Sequence, residues 1–94
     1  MTAPIVLAAN LDIRAAAPLR QALLGRDGEG VSLDASRVTR LGGLCLQILL
    51  AGSRDWRARG LEFSIREPSP AFLETLELFG ARPALSAALN EGAH

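Results

Sequence analysis

Residues 31–50 read Val31-Ser32-Leu33-Asp34-Ala35-Ser36-Arg37-Val38-Thr39-Arg40-Leu41-Gly42-Gly43-Leu44-Cys45-Leu46-Gln47-Ile48-Leu49-Leu50. Val31, Leu33 and Ala35 alternate with Ser32 and Asp34, the period-two signature of a strand with one buried face. Residues 36–43 form a loop, and from Leu44 to Gly52 the chain is apolar apart from Gln47. A run that continuous predicts a helix buried on most sides rather than a surface helix. It turns polar only in its last turns, Ser53-Arg54-Asp55-Trp56-Arg57-Ala58-Arg59. There the arginines face the negative end of the helix dipole, and Gly60 supplies the cap.

Upstream, Pro4-Ile5-Val6-Leu7-Ala8-Ala9 is short, apolar and partly β-branched, which predicts a buried first strand ending near Asn10. A helix is expected over 14–24, with Leu19, Ala22 and Leu23 on one face and Pro18 tolerated only in the first turn. Gly25 and the cluster Asp27-Gly28-Glu29-Gly30 end it. Downstream, Leu61-Glu62-Phe63-Ser64-Ile65 alternates as a third strand. Ser69 and Pro70 then form an N-cap and first-helical-position pair, opening a helix with Phe72, Leu76 and Phe79 that Gly80 closes. Pro83 begins a last helix over 83–90 carrying Leu85, Ala88 and Leu89. The order β-α-β-α-β-α-α implies parallel crossovers, hence an α/β domain with a small, mostly parallel sheet of about three to four strands flanked by four helices.

The chain has 94 residues, enough for one core and too few for two, so residues 1–94 are expected to be a single domain with a mobile tail at 91–94. Ten acidic and ten basic residues cancel, and like charges do not cluster, so no nucleic-acid footprint is visible. All the basic residues are arginine, which codon bias explains as well as any demand for a planar cation. One cysteine, Cys45, allows no internal disulfide, and with one histidine it makes no metal site. The reading is a reducing cytoplasm, since Met1-Thr2-Ala3-Pro4 does not open a signal peptide and no apolar run reaches membrane-spanning length.

Catalytic chemistry finds no footing. Nucleophilic catalysis requires a base beside the nucleophile, and the histidine is the final residue, His94. Glu74 and Glu77 lie one turn apart on what is expected to be a solvated helix face. Gly42-Gly43 lacks the Lys-Ser or Lys-Thr of a phosphate-binding loop. A non-enzyme without cofactor or metal is the consistent reading.

The 31–50 stretch resembles the core motif of the STAS family, in which a strand ending Asp-x-Ser leads through Val-x-x-(Ile/Leu)-Asp-Ser-x-Gly-Leu into a helix. Leu11-Asp12, Ala17-Pro18-Leu19 and Ala22-Leu23 resemble that family's Leu-Asp, Ala-Pro-x-Leu and Ala-Leu stretch. Gly60-Leu61 to Ile65 and Pro70-Ala71-Phe72 to Phe79-Gly80 resemble its next strand and helix, so the likeness covers about residues 5–80. The family's extra leading strand has no counterpart ahead of Ile5. On the family pattern, the Asp-Ser pair falls on Gly42-Gly43 and the following glycine on Cys45. The hydroxyl that partner kinases phosphorylate is therefore absent.

The resemblance implies a cytoplasmic bacterial interaction module of the anti-sigma-factor antagonist type. Its contact residues would be Ser36, Arg37, Thr39, Arg40, Gly42, Gly43, Leu44 and Cys45. Its partner would be an anti-sigma factor, a GHKL-type kinase or a chemotaxis histidine kinase, and the Gly42-Gly43-Leu44 variant looks most like STAS proteins that accompany chemotaxis proteins. The alternative is a subunit bound to the ATPase of a lipid-transporting ABC complex. Homodimerisation is compatible with either. Ser36 and Thr39 are candidate substitute phosphosites, although Ser36 also suits closing the turn through its side chain and Thr39 a solvated loop. Arg37 and Arg40 are either solvated or contacts for an acidic partner. Cys45 is either a packing residue or a thiol acidified by the helix N-terminus. Trp56 reads as a half-buried core edge or an interface anchor.

Overall fold

The computed structural model describes residues 3–90. In chain order the elements are β1 (Ile5–Val6), β2 (Asn10–Leu11), α1 (Ile13–Leu24), β3 (Val31–Asp34), β4 (Arg40–Leu41), α2 (Gly43–Ala58), β5 (Phe63–Arg66), α3 (Pro70–Leu78), α4 (Arg82–Leu85) and β6 (Leu89–Asn90). The sheet order is β1-β3-β5-β6, with every neighbouring pair parallel. Each new strand is thus added on the same side of the last. Because β-α-β crossovers are right-handed, that order puts the connecting helices on one face of the sheet.

Burial agrees. Val31, Leu33, Phe63 and Ile65 are buried against the helices, whereas Ser32, Asp34 and Ser64 on the opposite face are half-buried and Arg66 is exposed. This one-sided covering explains why the strands alternate in sequence although the sheet is parallel, where continuous apolar runs are the rule. The helix side is filled by Leu33, Leu49, Ile65, Phe72, Leu76 and Leu85, all essentially inaccessible to solvent. Each such side chain contributes roughly 1.5–3 kcal/mol of transfer free energy. No helix among the described residues is long and apolar enough to cross a membrane.

The α/β architecture, its parallel sheet and its four helices match the sequence reading, and several local expectations are corrected. Helix α1 begins at Ile13, because the Asp12 carboxylate caps it by accepting the Arg14 N–H at 3.0 Å. Pro18 consequently lies in the second turn rather than the first, on an exposed face where water can solvate the carbonyl it leaves without an N–H partner. Helix α4 stops at Leu85 instead of running to 90. Leu89–Asn90 continues as strand β6, and the Ala88 carbonyl accepts the Ile65 N–H at 2.7 Å, pairing an edge of β5 that a helix there would leave open. The expectation for residues 91–94 lies outside the described residues.

A second, two-stranded sheet occupies what the sequence presents as loops. β2 pairs in parallel with β4, Asn10 opposite Arg40 and Leu11 opposite Leu41. Helices α1 and α2 leave this small sheet side by side and pack along each other. Trp56 is part of the core, not its half-buried edge: it is 4 % exposed, packs edge-on against Phe63, and donates its indole N–H to the Glu29 carbonyl at 2.7 Å. The Arg59 guanidinium covers the ring at 4.9 Å. That burial removes Trp56 from consideration as an interface anchor.

Candidate functional site

After β3 the chain makes a tight turn that the Asp34 carboxylate closes by accepting the Ser36 N–H at 2.9 Å. The closing side chain is therefore that of Asp34, where sequence suggested Ser36, and the Ser36 residue is exposed. The Ser36 N–H and then its hydroxyl hold the Asp34 carboxyl below the usual carboxylate range, with Arg37 and Arg66 adding smaller attractions. Val38 turns inward as a plug, 2 % exposed, and its carbonyl accepts the Ser69 hydroxyl at 2.6 Å. Ser69 also caps α3 by accepting the Phe72 N–H, so one buried hydroxyl ties this loop to the next helix.

From Thr39 onward the loop is held by residues 9–12. The N–H and hydroxyl of Thr39 both donate to the Ala9 carbonyl, at 2.7 and 3.0 Å, so Thr39 is anchored although it is exposed. The Arg40 N–H reaches the same carbonyl at 3.2 Å, and the Gly42 N–H donates to the Leu11 carbonyl at 2.9 Å. Gly42 is the N-cap of α2 in extended conformation, and no side chain caps the helix there. A Cβ on Gly42 would stand 3.0 Å from the Leu11 carbonyl oxygen. The close passage of β2 and β4 thus favours glycine at that position.

Gly43 is different. It is exposed at the first position of α2, and a Cβ there would meet nothing within 4 Å. Leu44 beside it is 49 % exposed, and Ile13, one residue past the cap of the neighbouring helix, is 75 % exposed. The mouth of the two helices is therefore open backbone flanked by two solvent-facing aliphatic side chains. Arg14 extends from the same turn, paired to Asp12 at 3.0 Å, and this pairing holds the Asp12 carboxyl below its ordinary value. A helix expected from Arg14 leaves Ile13 ahead of it; the sequence signal for its true place is Asp12 as an N-cap, which puts Ile13 in the first turn.

Cys45 faces inward with no measurable exposure, its thiol 3.4 Å from the Asp12 carbonyl as donor. Burial raises the thiol pKa, and the Asp12 charge raises it further. The helix N-terminus does not prevail against these, so Cys45 is a neutral packing residue beneath the surface. The structure thus puts Thr39, Arg40, Gly42, Gly43 and Leu44 in one continuous segment with Ile13 alongside, with Ser36 and Arg37 exposed on the turn before it. No cluster among the described residues has the composition of a metal site. What this arrangement offers is an accessible, preformed backbone edge with apolar flanks, a geometry that suits a protein contact.

The family model described as "Mlab, STAS domain" matches residues 2–89. No curated protein and no solved structure gives a significant match.

Proposed function

This chain belongs to the STAS domain family, whose general role is that of a protein-interaction module in signalling, and from that premise we propose that it binds its partner through residues 36–44 and Ile13 without a phosphorylation switch at the helix mouth. The partner is a cytoplasmic bacterial regulator: an anti-sigma factor, a GHKL-type kinase or a chemotaxis histidine kinase. The single observation that carries this reading is the open space over Gly43. A side chain would fit there, so its absence leaves the α2 backbone free for close approach by a partner. Where a phosphorylated hydroxyl would add about two negative charges and three acceptor oxygens to a contact surface, Gly43 adds neither at that position.

Affinity purification of tagged wild-type protein beside Gly43→Glu, with the captured proteins identified by mass spectrometry, tests the proposal. A regulatory kinase or anti-sigma factor bound by wild type and lost from the folded variant is the expected result. Equal capture by both proteins would move the contact surface elsewhere. Recovery of an ABC ATPase would instead assign the alternative role, a subunit of a lipid-transporting complex, to the same surface.

A further inference from the structure

Beyond the first turns of α2, a groove of about 580 Å³ runs between this helix and α4, with Gln47, Leu50, Arg54, Arg57, Ala58 and Ala84 among its walls. From Gln47 to Ala58 it follows twelve residues of helix, about 16 Å between the first and last at the α-helical rise. No Asp or Glu lines it. Arg54 and Arg57 are exposed and stand one turn apart, and neither guanidinium has an ion pair or hydrogen bond among the described residues. By contrast, Arg14, Arg59 and Arg82 each hold a carboxylate. The residues three and four away from Arg54 and Arg57 include none of acidic type, so these two like charges face each other uncompensated, a mildly destabilising arrangement on a helix.

We propose that this groove docks a short acidic amphipathic segment of a partner protein. Two carboxylates one turn apart on that segment pair with Arg54 and Arg57, whose planar forks suit bidentate contact, and its apolar side chains lie on Leu50 and Ala84. The charge selects an acidic occupant. The length and apolar floor select a peptide segment over a compact ion, and the concave shape selects it over a membrane surface. Two arginines in a chain of zero net charge are too few for a nucleic-acid backbone.

The test is an NMR titration of the ¹⁵N-labelled full chain with a synthetic helical peptide of about three turns, bearing Glu pairs four apart beside a Leu face. Its counterpart has Gln for each Glu. Saturable shifts confined to α2 and α4 are expected, with affinity about tenfold lower for the Gln peptide and for Arg54→Gln/Arg57→Gln, whose fold circular dichroism would verify. Gly43→Glu is expected to bind the peptide as wild type does, so this outcome is independent of the helix-mouth reading. Equal binding of both peptides, no saturation, shifts elsewhere, or binding only to phosphatidylglycerol vesicles or duplex DNA would overturn the proposal.

Discussion

Gly42 and Gly43 are adjacent, yet alanine is expected to move stability in opposite directions at the two positions. At Gly43 an added Cβ enters open space, and the residue already has helical conformation. Replacing glycine in a helix by alanine restricts the unfolded chain and is worth about 0.5–1 kcal/mol in a helix interior. At the first helical position the lower end, about 0.5 kcal/mol, is expected, raising Tm by about 2–4 °C in a domain of this size. At Gly42 the new Cβ sits 3.0 Å from the Leu11 carbonyl oxygen, which is already bound by the Gly42 N–H at 2.9 Å. Relief requires β2 and β4 to separate or α2 to shift against α1. Overpacking of this kind costs about 1–3 kcal/mol, and alanine is also a poorer N-cap than glycine. Gly42→Ala should therefore lower stability by at least about 1 kcal/mol, or about 4–8 °C in Tm. Urea denaturation monitored by Trp56 fluorescence and by circular dichroism measures both variants with one m-value. A shift of the same sign in both would refute the reasoning, because it would mean that the two glycines share one environment.

Trp56→Phe removes the indole N–H that donates to the Glu29 carbonyl and thins the stack under Arg59; a loss of about 1–2 kcal/mol in urea denaturation is expected, and an unchanged midpoint would contradict the core assignment. Asp12 and Asp34 are both held below their ordinary pKa in the folded state. Folding is then favoured by their ionised forms above the unfolded value, and that contribution disappears as the pH falls through the folded values. Urea midpoints should accordingly drop between about pH 5 and pH 2, with a shallower drop for Asp12→Ala/Asp34→Ala, and parallel profiles would count against this origin.

The parallel α/β plan was legible because its signals are local. Strict alternation in residues 61–65, the Ser69-Pro70 start and the apolar run from Leu44 each specify an element without help from distant residues. The short strands were not legible, since Asn10–Leu11 and Arg40–Leu41 have two residues each and no periodicity to display. Leu89–Asn90 reads as helix in sequence because Leu85, Ala88 and Leu89 fit a helical face, whereas the open edge of β5 offers a ladder partner that only the tertiary structure reveals. At the site, sequence pattern singled out the loop and both glycines. It did not reveal that Thr39 is bonded to Ala9, that Asp34 closes the turn, or that Gly42 passes against Leu11, because these relations cross thirty residues of chain or depend on which side chain wins a hydrogen bond.

The bond between Thr39 and Ala9 spans thirty positions of sequence, and the pairing of β2 with β4 spans as many. The proposed contact edge is therefore discontinuous in the way a conformational epitope is. Closing a loop of that length carries an entropic penalty that the surrounding core must offset before the edge exists. A synthetic peptide covering residues 36–45 would lack the template that shapes it and should fail to compete for a partner. Recognition at the proposed surface would thus report on completed folding, since a chain whose first crossover has not closed lacks the edge.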